Sequence, residues 1–234
     1  MSAAIAYTIR RSPRARRASV SVDAERGVEV VLPRRARDGE AERVVAELRP
    51  WIERRMGQIA HARAAVRGPG GTLPYLGAWL ELVPQDGRTR AHRAGDRLLV
   101  PAGDPAPAVE RWYRRMARTE VVERLDAAVA ALGTRYTAVT IRGQRTRWGS
   151  CSPSGAMSFN WRLLLAPEEV LDYVVWHEAC HLLVADHSPR FWALVARHRP
   201  GYKAQTRWLR RYGAALTLEA AGLDGPGTAA RAAA

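Results

Sequence analysis

Residues 170–187 read Val-Leu-Asp-Tyr-Val-Val-Trp-His-Glu-Ala-Cys-His-Leu-Leu-Val-Ala-Asp-His, and the rest of the chain is best read outward from them. At their centre is His177-Glu178-Ala179-Cys180-His181. On a helix, histidines four residues apart share a face and can grip one metal ion, while Glu178 beside them can take a proton from water. Pro167 suits a first helical position, and Glu168 and Glu169 put acid in the first turn, where the helix dipole favours it. From Val170 to Leu183 the strongly polar residues are Asp172, His177, Glu178 and His181, so the helix is expected to be buried. A competing reading is a helix whose single polar strip faces water. The apolar surround weakens it, because two histidines and a carboxylate on a buried helix need a partner and a metal ion supplies one.

The chain then turns. Ser188-Pro189 reads as a cap followed by the first-turn proline of another helix, which leaves His187 between two helices. His187 is the expected third ligand, with Asp186 and His198 as rivals. The spacing also occurs in a longer three-histidine metalloprotease motif, whose turn carries a glycine where this chain has Val184. Three protein ligands and one open position describe a catalytic zinc site, so one Zn²⁺ is the expected cofactor, although three histidines also suit other first-row ions. Cys180 projects about 60° off His177, on the side opposite Glu178, and reads as packing.

Composition sets the bounds. The chain has 234 residues, 47% of them hydrophobic, enough for a substantial core in one large or two small domains. It shows no 18-residue apolar run and no apolar signal-peptide core, so a membrane partner is not expected. Residues 10–17 are basic, like a transit peptide, but lead straight into an alternating strand pattern. Cys151 and Cys180 are too few for a disulfide scaffold, and a reducing cytoplasm is the expected compartment. The net charge is +14, almost all from arginine, since Lys203 is the one lysine. It is spread over both halves, as on a solvated surface, and is compatible with phosphate or acidic partners.

Residues 5–11 and 17–23 alternate, and Ser19 to Leu32 reads as a hairpin. Asp38 is a candidate helix cap. The helical spacing that follows is interrupted at Pro50 and resumes to about Ala65, before a break at residues 67–71. Strands are expected at residues 75–83, 88–92 and 97–100. After a boundary at residues 103–107 come a long helix at 108–132, a strand at 136–142, and a hairpin whose second arm is 157–165. This hairpin feeds the histidine helix. Further helices follow Ser188 and Tyr202. The resulting domains are a β-rich unit with a helical insertion (1–104), a catalytic unit (105–213) and a disordered tail rich in Ala and Gly (214–234).

Several motifs in order resemble the YgjP-like metallopeptidase family, which is similar to the SprT-like and WLM zinc proteases. They are Arg147-Trp148-Gly149-Ser150-Cys151, Asn160-Trp161-Arg162-Leu163, Asp172-Tyr173-Val174-Val175 before the histidine motif, His187-Ser188 with Phe191-Trp192, and Pro200-Gly201-Tyr202-Lys203. Trp51-Ile52 and Tyr75-Leu76-Gly77 extend the likeness over roughly residues 6–212. The resemblance implies an α+β, zincin-like metalloprotease domain, its active-site helix packed under a β-hairpin, preceded by a small β-rich domain. It implies metal on His177, His181 and His187, with Glu178 as general base.

The leading expectation is therefore a zinc-dependent metallopeptidase that hydrolyses peptide bonds in a peptide or protein substrate. The resemblance also allows substrates associated with DNA, as for SprT-like relatives, and metal-dependent pyrophosphohydrolysis of uridine triphosphate, as for some YgjP-like members. Arg142, Arg145 and Arg147 could serve phosphate in that case. A third reading is a nucleic-acid binder that does no catalysis and is stapled by its metal. The adjacent Glu178 counts against it, because a structural site wants a fourth ligand and no base. Arg147, Asn160 and Tyr202 are candidate substrate-binding residues. Tyr202, Arg147 and His198 are the candidates for stabilising the oxyanion.

Overall fold

A computed structural model describes residues 4–223 except Glu25, Asp38 and Arg145. The Asp38 cap, a role for Arg145 and the fate of residues 224–234 lie outside the described residues. The fold is mixed α+β, with five α-helices and three small sheets among the described residues. Its contacts divide the chain after Ala64, within the last turn of a helix.

The first unit holds β1 (Tyr7–Ser12), β2 (Ser19–Asp23), β3 (Gly27–Pro33) and most of α1 (Gly39–Val66). The expected hairpin is present: β2 and β3 pair antiparallel, with Asp23 opposite Gly27 at positive φ. β1 adds to the other side of β3 in parallel. Alternation along β3 puts Val28, Val30 and Leu32 on one face, where Ala41, Val45 and Ile52 of α1 meet them in one core. Burying each of the larger side chains is worth roughly 1.5–3 kcal/mol.

The helix runs through Pro50 rather than stopping there. Proline forfeits the hydrogen bond to the carbonyl of residue 46, but both Ala46 and Pro50 are exposed, so water can take that carbonyl. Val45 and Ile52, two turns apart on one face, hold both halves of α1 on the same core.

The second unit begins with a four-stranded sheet of β4 (Thr72–Tyr75), β5 (Ala78–Gln85), β6 (His92–Ala94) and β7 (Arg97–Pro101), in the order β4-β5-β7-β6. The strand expected at residues 75–83 is present as β5 from Ala78 on, while Tyr75 ends a separate strand, β4. Leu76 (φ 51°) and Gly77 (φ 87°) form a two-residue loop with Tyr75 opposite Ala78. Positive φ at both positions gives the twist of a tight hairpin.

Nor does this sheet belong with the residues before it. The Tyr113 hydroxyl, on α2 (Ala106–Leu132), donates to the Pro74 carbonyl at 2.5 Å, and the Leu76 amide donates to the Leu164 carbonyl at 2.9 Å. Tyr75, Trp112, Tyr113 and Trp161 form one aromatic cluster. Trp112 and Tyr113 from α2 pack on Tyr75, and Trp161, from beyond α2, packs on Tyr113. For that reason contacts do not divide the chain at the expected residue 104.

α2 ends at Gly133 in the left-handed conformation. A third sheet follows in the order β8-β10-β9: β8 (Ala138–Arg142), β9 (Gly149–Cys151) and β10 (Ala156–Asn160). The expected strand at 157–165 stops at Asn160, whose side-chain oxygen accepts from the Arg162 amide and caps a 3-10 turn over Trp161–Leu165. Then come α3 (Glu168–Cys180), α4 (Pro189–His198) and α5 (Tyr202–Tyr212). Residues 216–223 fell in the expected disordered tail. They carry buried Leu216, Leu218 and Leu223, and the Ala220 amide donates to the Thr217 hydroxyl. Their turns have no helical or strand period, so no periodic signal marked them.

Candidate metal centre and active site

α3 starts after Pro167 and buries Val170, Leu171, Val174, Val175, Ala179 and Cys180. His177 stands in its last turn. His181 follows at the helix end, still with helical φ and ψ, so the four-residue relation holds although the helix ends earlier than Leu183. The Val184 amide then returns to the Cys180 carbonyl, turning the chain without a glycine. The Asp186 carboxylate accepts from the Ser188 amide, and Pro189 opens α4. This turn brings His187 back over α3.

Ring nitrogens of His177, His181 and His187 all lie within 4.8 Å of one another. The Nε2 atoms of His177 and His187 are 3.1 Å apart. Two ligands of a tetrahedral zinc with ordinary Zn–N bonds would stand about 3.3 Å apart. His181 directs Nδ1 to the Val184 carbonyl at 3.0 Å, a contact that leaves Nε2 free as a donor atom. Burial, then the neighbouring histidines, pushes His177 down to about 3, so its imidazole is neutral, as a ligand must be. Burial also lowers His181. The donor set therefore fits one first-row metal ion.

The rivals for third ligand are elsewhere. His198 stacks on Trp176 at 4.4 Å, and Asp186 is turned to Ser188. Phe191 of α4 is fully buried and faces all three imidazoles, at 4.9, 4.4 and 4.9 Å from His177, His181 and His187. It is an apolar floor that limits where the rings can tilt.

Glu178 is 6% exposed and flanks the triad, and burial pushes its carboxyl up to about 7, against a lowering pull from Arg147. Gly149, which opens β9, is its cradle. A Cβ there would come within 2.6 Å of Glu178 Cγ and Oε1. The hairpin thus touches the acid directly.

A cleft of about 360 Å³ opens beside Glu178 and His177. Residues 146–149 line one side of it, and Thr206, Leu209 and Arg210 of α5 line another. The Tyr173 hydroxyl stands 3.5 Å from His177 Nδ1 at its base.

The YgjP-like metallopeptidase domain matches residues 16–212. This chain belongs to the YgjP-like metallopeptidase family. No curated protein matches it significantly. Among solved structures it is similar to the metallopeptidase zymogen of Pyrococcus abyssi abylysin, at 27% identity and a TM-score of 0.36, over 40% of this chain and 95% of that one. A YgjP-like metallopeptidase has peptide bonds as its substrate class and a metal at its centre.

The structure sorts the other residues singled out in this YgjP-like sequence. Arg147 lines the cleft. Asn160 is buried, and its amide donates to the Gln144 and Arg147 carbonyls at 2.6 and 3.3 Å, so its side chain holds the backbone at those two residues. Tyr202 stacks on Trp192 at 5.3 Å, and Trp192 lies 5.6 Å from His187. Tyr173, Gly149, Phe191 and Arg210 were not read from the sequence as site residues. Tyr173 had a signal, since it lies four residues before His177 on the same helix. Arg210 had none, because one exposed arginine among 37 basic residues looks like any other.

Proposed function

We propose that this chain is a zinc-dependent metallopeptidase of zincin type, with His177, His181 and His187 holding one ion and Glu178 acting as general base. One observation carries the reading: three imidazoles converge beside a buried carboxylate that opens onto a cleft. When bound, the zinc lowers the pKa of water and polarises the scissile carbonyl. The Glu178 carboxylate takes the proton of the attacking water and returns it to the leaving amine nitrogen. Burial raises the Glu178 carboxyl in the metal-free protein, and a bound cation would draw it back towards the carboxylate that a base needs.

β9 is an edge strand, paired with β10 alone in its sheet, and an extended substrate can add along its open side. Tyr202, Arg147 and His198 are the candidate donors to the carbonyl oxygen, and Arg147, which lines the cleft, is also the proposed substrate-binding residue with Tyr202. A cytoplasmic location is proposed from the two unpaired cysteines. No helix among the described residues is long and apolar enough to cross a membrane. No comparison supports the nucleotide or nucleic-acid alternatives.

The test is hydrolysis of casein and a peptide pool by the zinc-loaded protein. Turnover is expected to vanish on chelation, to return with zinc, and to be lost in Glu178→Gln. Equal turnover by wild type and Glu178→Gln would remove the base from the reading.

A further inference from the structure

The cleft beside Glu178 has a composition that the hydrolytic chemistry does not require. Its walls include Trp148, Val174 and Leu209, which are apolar. Its charged residues, apart from the catalytic carboxylate, are Arg147 and Arg210. Among the described residues neither guanidinium closes an ion pair with an acid. The net charge of +14 leaves many basic residues without an acid to pair with, so what marks these two is their place in the wall of the cleft beside Glu178.

Arg210 is placed by α5. Thr206, Leu209 and Arg210 lie at helical spacing and turn one face to the cleft, while Arg211, next in sequence, does not line it. A favourable position in the last turn of a helix suits either arginine equally, so it does not account for Arg210 facing inward. The side chains lining the cleft, counted with Glu178 ionised, leave one positive charge over. A substrate carboxylate is drawn to that positive charge. Both arginines are exposed, so the contact is a solvent-accessible one, and a guanidinium can grip a carboxylate through two parallel hydrogen bonds.

We propose that this cleft is a subsite that selects a carboxylate of the substrate chain, held by Arg210 and Arg147, at a residue flanking the scissile bond. The proposal rests on the metallopeptidase reading for what the substrate is, and names its side-chain class. The carboxylate comes either from an Asp or Glu side chain or from the free C-terminus of a short peptide.

Binding and turnover test it separately. Calorimetry on the zinc-loaded full chain carrying Glu178→Gln compares three peptides: one with an internal Glu and an amidated end, its Gln counterpart, and the Gln peptide with a free C-terminus. Tighter binding of the first or the third over the second, by about fivefold to tenfold, is expected for a charge-assisted contact discounted for exposure. Which of the two binds tighter identifies the source. Adding Arg210→Ala is expected to erase the preference, and Arg210→Glu to shift it towards a Lys peptide. The same preference is expected in kcat/KM ratios of otherwise wild-type protein.

No preference, or one that survives Arg210→Ala, overturns the subsite even where peptides are hydrolysed. Uridine triphosphate binding tighter than every peptide in an Arg210-dependent way overturns it too. An Arg210-dependent carboxylate preference without peptide turnover would sustain the subsite and sink the metallopeptidase reading.

Discussion

Gly149→Ala is the sharpest probe of the site, because it adds one methyl group at one known place. The new Cβ would sit 2.6 Å from Glu178 Cγ and Oε1 and 2.9 Å from Cδ. Unstrained carbon contacts begin near 3.5 Å, so the carboxylate or the strand must give way by about 0.9 Å. Gly149 does not have positive φ, so alanine itself suits the backbone. Glu178 is 6% exposed, which leaves it little room to swing aside. A misplacement of about 1 Å can cost on the order of 10²-fold in rate, equivalent to about 2.7 kcal/mol.

The expected result is a fall of about 10- to 100-fold in kcat/KM for peptide hydrolysis, with the zinc content per folded chain retained. Stability is expected to fall by about 1–3 kcal/mol, as for an overpacked position. Combined with Glu178→Gln, the substitution is expected to remove no further activity, since both act on the same group. Activity within threefold of wild type, or a loss matched by lost zinc, would refute the argument that the hairpin positions the base.

Three further outcomes follow from the geometry. Burial raises the Glu178 carboxyl from 4.5 to about 7, so the folded protein without metal holds a proton that the unfolded chain has released. This contribution is full below pH 4.5 and is lost as the pH rises through 7. Glu178→Gln without metal is therefore expected to be more stable than wild type at pH 8 by up to roughly 3 kcal/mol, with the gain gone near pH 4.5, in urea titrations across pH; a constant difference would contradict the burial argument. His187→Ala is expected to weaken zinc binding at least tenfold in competition with a chelator, whereas His198→Ala and Asp186→Ala leave it near wild type; the reverse order would move the third ligand. Arg124, with 16% of its side chain exposed, pairs with Glu120 on its own helix and ties α2 to α3 through Glu168 and Asp172, and Arg124→Met is expected to cost about 2 kcal/mol in chemical denaturation. A loss under about 0.5 kcal/mol would make that network ornamental.

Local chemistry was legible in the amino-acid order. Histidines four residues apart share a face on any helix, so His177 and His181 could be paired, and Glu178 placed beside them, without knowing what surrounds them. The β2–β3 hairpin and the Gly133 stop were legible for the same reason: turn residues and short periods act over a few positions. Asn160 shows the limit. Its neighbours read as a continuing strand, yet its amide is engaged by the backbone at residues 144 and 147, and the strand ends there. Leu76 is similar, since a leucine at positive φ is not a turn signal, and Leu164 accepts its amide hydrogen from nearly ninety positions along.

What only the tertiary structure decided depends on segments distant in sequence meeting in space. The sheet at residues 72–101 belongs with the second unit because its Tyr75 packs on Trp112 and Tyr113 of α2. His187 joins the triad, and His198 does not, because the turn after His181 folds back over Phe191. Gly149 meets Glu178 and Arg210 meets the cleft through contacts that no period in the sequence encodes. The sequence alone determined which atoms can bind a metal and move a proton. Long-range packing decided how those atoms are held and which charges face the substrate.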